Sequence, residues 1–298
     1  MSNKIGFIGL GIMGAPMAKN LLKEKCNLMV YDINPVKYSE FLQAGAEIAA
    51  APSDISAACC LIFIIVPNGA IVRDICFGPN GLYNTLSPGC IVVDMSSVTP
   101  KDSQEIALRL SEKEADFLDA PVSGGEPKAI DGTLAIMVGG KDGVFNKVLP
   151  YFKMMGSSAT LVGDTGSGTV TKLANQMIVN LTIAAISEAL VLASKAGVDC
   201  GKVYGAIRGG LAGSTVLDAK VPMMLDRNFK PGGRLDINMK DIKNVMDTAF
   251  SVNVPVPLTS QLLEIMKVLK EDGKSGCDHS AIVQYFEKLS GVEVKKQS

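Results

Sequence analysis

One histidine, His279, stands in a chain of 298 residues, and none of the seven cysteines belongs to a Cys-x-x-Cys pair. A zinc site of Cys and His ligands therefore lacks its donors, and no metal is expected. The odd number and scatter of the cysteines argue against a disulfide framework and for reduced thiols, which points to a cytoplasmic protein. An excess of one charge is also missing. Lys and Arg number 29 against 30 Asp and Glu, a net charge of −1, with no basic stripe, so no nucleic acid is expected as a partner. Long apolar runs are few. Cys59–Pro67 falls far below the ~20 residues that a membrane span needs. Leu173–Ala196 is longer, but Asn175, Gln176, Asn180, Glu188 and Lys195 interrupt it, and it reads as a buried helix of a soluble protein with no membrane partner. Lys4 before the apolar Ile5–Met13 imitates a signal peptide, yet four glycines between Gly6 and Gly14 suit a loop better than an apolar helix.

What is present is an ordinary globular mix, 47% hydrophobic and 20% charged, long enough for two domains. The first half alternates short apolar runs with amphipathic stretches. Lys4–Ile8, Asn27–Tyr31, Leu61–Val66 and Ile91–Asp94 read as buried strands, with further strands at Asp116–Ala120, Leu134–Val138 and Thr160–Val162. Asn34-Pro35 and Thr99-Pro100 have the form of an N-cap followed by proline at the first helical position. Strand–helix alternation predicts a parallel, doubly wound sheet. After Gly163 the pattern is helical, with Leu173, Met177, Leu181, Ala184, Ala185, Ala189 and Leu192 at helical spacing. The expectation is an α/β N-terminal Rossmann-type domain over residues 1–164 and an all-α C-terminal domain over residues 165–298. The width of the apolar helical face points to a homo-oligomer, a dimer or tetramer.

The strand Lys4–Ile8 runs into Gly9-Leu10-Gly11-Ile12-Met13-Gly14, a GxGxxG loop that opens a helix. Gly9 suits the tight turn, Gly11 the close approach of a pyrophosphate, and Gly14 the packing of helix on strand. The second strand ends at Asp32, where a carboxylate can accept from ribose hydroxyls. It would also repel a 2′-phosphate, and Ile33-Asn34-Pro35 supplies no arginine to hold one, so NAD is favoured with NADP possible. A glycine turn with Asp32 as a helix cap is the plain alternative.

Three later segments carry the remaining chemistry: Asp119-Ala-Pro-Val-Ser123-Gly124-Gly125, Gly166-Ser-Gly168-Thr-Val-Thr-Lys172-Leu-Ala-Asn175, and Lys240-Asp241-Ile-Lys-Asn-Val-Met-Asp247. With the N-terminal glycine loop, and in this order, they resemble the four signature motifs of the β-hydroxyacid dehydrogenases over nearly the whole chain. The resemblance implies hydride transfer from a nicotinamide to a small carboxylate-bearing aldehyde. Lys172 matches the family's acid/base; a free lysine titrates near ~10.4 and is a ready proton donor at neutral pH. Asn175, one helical turn on, can donate an amide hydrogen bond to substrate. Ser123, Gly124 and Gly125 match the carboxylate cradle, where a hydroxyl and backbone N–H groups hold an anion. Lys240, Pro67, Asn68 and Ser97 match cofactor contacts. The plain alternatives are a solvated helix lysine at 172, a tight turn at 123–125, and an ion pair of Lys240 with Asp241 or Asp247.

Within the family, residues 119–134, 208–220, 226–231 and 278–281 are more similar to the branch that reduces tartronate semialdehyde to D-glycerate than to the 3-hydroxyisobutyrate branch. A pocket that bonds a substrate hydroxyl discriminates well against the methyl analogue; His279 and the loop Gly209–Ser214 are candidates for that contact, with a structural histidine as the alternative. 3-Hydroxyisobutyrate dehydrogenase, glyoxylate or succinic semialdehyde reductase, and a non-catalytic dinucleotide-binding module stay open beside it.

Overall fold

The apolar runs of the first half become strands and the amphipathic stretches become helices in the computed structural model, which describes residues 4–296. The strands are β1 (Lys4–Ile8), β2 (Asn27–Tyr31), β3 (Glu47–Ile48), β4 (Leu61–Ile64), β5 (Ile91–Asp94), β6 (Asp116–Asp119), β7 (Val122–Ser123), β8 (Leu134–Gly139) and β9 (Gly156–Gly163). Helices α1 (Gly14–Lys23), α2 (Tyr38–Gln43), α3 (Pro52–Ala58), α4 (Gly69–Phe77), α5 (Pro100–Ser111), α6 (Gly125–Asp131) and α7 (Asp142–Met155) connect them. The remaining helices are α8 (Ser167–Lys195), α9 (Cys200–Ile207), α10 (Thr215–Leu225), α11 (Leu235–Ser251), α12 (Pro257–Glu271) and α13 (Val283–Ser290). Contacts divide the chain into two units, Met1–Lys172 and Leu173–Ser298, with the division inside α8.

The sheet runs β3-β2-β1-β4-β5-β6-β8-β7, with β9 beside β8. From β3 to β6 every pairing is parallel. The expectation of a parallel sheet needs one correction, because β8 is antiparallel to β6 and to β7. Successive strand residues alternate between faces. Phe63, Val93 and Leu118 join α1 and α7 residues such as Leu21 and Phe152 in one core. Ile62, Ile64, Val92 and Phe117 join Ile55, Val72 and Ile106 from α3, α4 and α5 in another. A sheet covered on both faces is why its strands read as continuous Ile, Val and Phe runs. Thr99 caps α5 as its sequence predicts: it accepts from the Asp102 N–H, and Asp102 accepts in return from the Thr99 N–H, each at 3.1 Å. Asn34 caps a short 3-10 turn at Pro35–Lys37 instead of an α-helix.

Helices α8–α13 pack around Leu190, Val221, Met224, Ile242, Leu262 and Met266. The reading of Leu173–Ala196 as a buried helix is not met. Only 33% of the most apolar stretch of α8 is buried, and Ile178 and Leu192 lie open to solvent. This helix is long and apolar enough by composition to cross a membrane, but several of its polar residues turn inward.

Strand order reverses between β1 and β4, so the carboxyl edge there forms the crevice where open α/β sheets take ligands. Asp94 ends β5 on that edge, in register with Asp119 of β6. Its Oδ1 accepts from the Ser96 N–H at 2.9 Å, while Oδ2 is buried without a hydrogen-bond partner. Burial, against the opposing bonds from Ser96, raises its pKa to about 6. An unfolded aspartate releases its proton near ~3.9, whereas the folded chain holds it to about 6. Asp94 therefore contributes a destabilisation that grows as pH rises through that window and is complete above it. Asp94→Asn is expected to stabilise the fold relative to the parent at pH ~7.5 by about 3 kcal/mol, seen as a higher Tm, and to lose most of that advantage near pH ~4. Thermal scans of both proteins at the two values check it; an equal difference at both would show that Asp94 is not the titrating group.

Candidate active site

Gly9 follows directly on β1 with φ +98°, and a Cβ there would fall 2.1 Å from the carbonyl oxygen of Ile65. At Gly14 a Cβ would fall 1.9 Å from the Gly9 carbonyl oxygen, so α1 can start this close to the loop only with glycine there. At Gly11 a Cβ would meet nothing within 4 Å; the loop is open on that side, and a bound group can approach the backbone. Two of the glycines thus serve the chain's own packing, while the middle one faces the space a pyrophosphate would need. Leu10, Ile12 and Met13 complete the loop. The Leu10 N–H is turned back to Oδ2 of Asp32 at 2.5 Å, and Oδ1 of Asp32 accepts from the Asn34 N–H at 2.7 Å. The Asp32 carboxylate, at the end of β2, thereby touches the glycine loop.

Pro67 and Asn68 follow β4, and Ser97 follows β5, on the same carboxyl edge. Asn68 also has a structural use, because its side chain caps α4 by accepting from the Ile71 N–H at 3.0 Å. Val66 and Ser96 tie the two loops together, the Val66 N–H donating to Ser96 Oγ at 2.9 Å.

Ser123 ends the two-residue strand β7, opposite Ala135 of β8. Gly124 and Gly125 have φ of +144° and +71°, a backbone that side chains strain to adopt. The chain thus turns sharply after Ser123.

Lys172 lies on α8 with 9% of its surface exposed. A lysine this buried is uncommon, which sets it apart from the solvated helix lysine. What fixes the start of α8 is Asp119, the first residue of the segment that runs to Gly125, to which the sequence assigns no role of its own. Its Oδ1 accepts from the Gly166 N–H and its Oδ2 from the Thr169 N–H, each at 2.7 Å, and Oδ2 also takes the Thr169 hydroxyl at 3.0 Å. Ser103 on α5 adds a hydroxyl contact to Thr169 at 3.1 Å. Burial pushes the Asp119 carboxyl upward and these bonds oppose it, with a net rise.

Asn175 is half-buried one turn beyond Lys172, and its amide donates to Gln176 Oε1 at 3.0 Å. Lys240, on α11, pairs with Asp241 at 2.9 Å. The alternative of an ion pair with Asp241 is thus realised, but with a carboxylate only 3% exposed, not a surface one. His279 is buried, with Nδ1 2.9 Å from Asn180 Oδ1. Ser214, in the polar loop Gly209–Ser214, caps α10.

Residues 4–163 match the family described as the NAD binding domain of 6-phosphogluconate dehydrogenase. Residues 166–286 match the NAD-binding domain of NADP-dependent 3-hydroxyisobutyrate dehydrogenase. The chain is 42% identical to 2-hydroxy-3-oxopropionate reductase of Escherichia coli over 96% of this chain and 98% of that one. It is 35% identical to 2-(hydroxymethyl)glutarate dehydrogenase of Eubacterium barkeri over 98% of each. The solved structure of 3-hydroxyisobutyrate dehydrogenase from Mycobacterium tuberculosis superposes with a TM-score of 0.88 at 27% identity, covering 95% of this chain and 99% of that chain. With the glycine loop and the two family matches in one chain, the protein belongs to the NAD(P)-dependent β-hydroxyacid dehydrogenases, oxidoreductases acting on CH–OH groups.

Proposed function

We propose that this chain reduces tartronate semialdehyde to D-glycerate, reversibly, with Lys172 as the general acid and, in the other direction, the base. The observation that carries the chemistry is a buried lysine held on a helix whose first turn is tied to the sheet by Asp119. The 42% identity to 2-hydroxy-3-oxopropionate reductase over nearly both full lengths favours this substrate.

Residues 1–164 form the cofactor domain in this reading, and residues 165–298 the helical substrate and oligomerisation domain. The loop Gly9, Leu10, Gly11, Ile12, Met13 and Gly14 holds the pyrophosphate, with the opening at Gly11 as its place. Asp32 accepts from the ribose hydroxyls, and a second negative charge beside it is disfavoured, which argues for NAD over NADP. Pro67, Asn68, Ser97 and Lys240 complete the cofactor contacts. Bound NADH supplies the hydride to the aldehyde carbon. Ser123 donates its hydroxyl to the substrate carboxylate, and Gly124 and Gly125 present backbone N–H groups where no Cβ intervenes. Lys172 gives its proton to the carbonyl oxygen and stabilises the negative charge that develops there. Asn175 adds an amide N–H that helps to orient the same end of the substrate.

The exposed apolar face of α8, α12 and α13 is read as the contact with a second copy of the chain. Leu192, Leu258 and Leu289 are each more than half exposed around a groove of about 660 Å³, and patches of this kind mark interaction sites. The cysteines are all thiols, which fits a reducing, cytoplasmic setting.

Loss of NADH absorbance with purified protein tests the reaction, with tartronate semialdehyde and methylmalonate semialdehyde run in parallel. The expected result is a large preference for the hydroxyl-bearing substrate; preference for the methyl analogue would move the chain to the 3-hydroxyisobutyrate branch. Lys172→Ala is expected to lower kcat by about 10²- to 10⁴-fold with cofactor affinity unchanged. Undiminished turnover would remove Lys172 from its role. Turnover of neither aldehyde, with NADH still bound, would favour a non-catalytic module. Gel filtration is expected to give a multiple of 31.4 kDa, a dimer or tetramer; a monomer would contradict the pairing.

A further inference from the structure

Helix α8 carries three amides within six residues, Asn175, Gln176 and Asn180, and α11 faces them with Asn238 and Asp241. A carboxamide can turn end for end with little change of shape, so its direction is decided by neighbours that can only accept or only donate. Three such neighbours are present. The Arg234 carbonyl accepts from Asn238 Nδ2 at 2.9 Å. The Gln176 carbonyl accepts from Asn180 Nδ2 at 2.9 Å. The Asp241 carboxylate, paired with Lys240, accepts from Gln176 Nε2 at 2.6 Å.

The other directions follow from these. Asn238 is left with its oxygen towards α8, where it receives Gln176 Nε2 and Asn180 Nδ2, both at 3.2 Å. Asn180 turns its oxygen to His279, so Nδ1 of that ring carries the hydrogen of the 2.9 Å bond. Gln176 turns Oε1 to Asn175, and Asn175 must answer with its NH₂ group, at 3.0 Å. Reversing any one amide sets oxygen against oxygen or N–H against N–H. Gln176, Asn238, Asp241 and His279 are each less than 9% exposed, so water is poorly placed to repair such a mismatch.

We propose that Gln176 is a positioning residue for the reaction. With Asp241 as its anchor, it sets which end of the Asn175 amide can donate and which can accept before substrate arrives. The same carboxylate holds Lys240 on its other oxygen, so one buried charge orders two residues of the site. This inference rests on the reading of Asn175 as a substrate contact, and it gives the chain's only histidine a place at the far end of the network.

Two variants separate the arms. Gln176→Met keeps length and removes every polar contact while leaving Lys240 with Asp241. Asp241→Asn leaves one oxygen for two donors. Each is expected to lower kcat by about 10- to 100-fold, the scale of a small misplacement at a reacting centre; in Gln176→Met, which leaves Lys240 paired, the Kd for NADH is expected to stay within about twofold of the parent. The second readout is the side-chain NH₂ pair of Asn175 in a ¹⁵N–¹H spectrum, identified by its loss in Asn175→Asp; it is expected to shift in both variants. Parent kcat with the pair in place overturns the proposal. Lowered kcat with the pair unmoved overturns it too, because the effect then arises elsewhere. If the parent reduces no aldehyde, the functional reading fails, and the NH₂ pair alone decides: a shift upholds the orienting role of Gln176 and an unmoved pair overturns it.

Discussion

The carboxylate of Asp119 accepts two N–H groups and a hydroxyl from the first turn of α8, and the placement of the later residues of that helix depends on this contact. The first N–H groups of a helix have no partner within it, and here the end of a central strand supplies one. The approach is possible because Gly139 and Gly168 lack side chains. A Cβ on Gly168 would fall 2.5 Å from the Met137 carbonyl oxygen, and one on Gly139 would fall 2.5 Å from Asp119 itself. Lys172 follows Thr169 by less than one turn. Its backbone position is therefore set by a strand end, two glycines and a buried charge, not by surface contacts. The burial that raises the Asp119 pKa is the cost of that anchoring, and the three donors offset it.

A second buried carboxylate, Asp241 on α11, accepts from Gln176 further along α8. The two differ in what they fix. Asp119 holds backbone, so it determines where the helix begins. Asp241 holds side chains, so it determines how an amide and an ammonium are turned. Orientation of this kind is needed when a polar group must act on charge that appears only in the transition state, since turning it at that moment would cost free energy. The cofactor loop is ordered by a third means, through glycine contacts and the Asp32 carboxylate on the Leu10 N–H.

What could be read from the sequence was local. Strands buried on both faces announce themselves as apolar runs, the glycine loop as spacing, and the cap of α5 as the adjacent pair Thr99-Pro100. β3 and β7 have two residues each, too few for any periodicity, and so they were not legible. Asp119 lies fifty residues from Thr169, and Gln176 lies 65 from Asp241; no pattern within a window links such partners. Asn68, which the resemblance assigns to the cofactor, also caps a helix through its side chain, a use that the resemblance does not carry. Hydropathy failed on α8 for a related reason. It measures how apolar a segment is, and cannot say whether the chain's own residues cover it.

Helix α8 mixes polar and apolar residues on its buried side, where Ile183, Ile186, Leu190 and Val191 join the helical core. Its inward residues include Lys172, Gln176, Asn180 and Ser187, all buried, while Ile178 and Leu192 face outward. Ordinarily apolar residues drive a helix onto a core and polar ones face water. A buried polar group needs a partner, and Asn238, Asp241 and His279 provide it for Gln176 and Asn180. Ile178 and Leu192 are left exposed in the single chain, and the proposed pairing of two copies would give the apolar surface of this helix a cover.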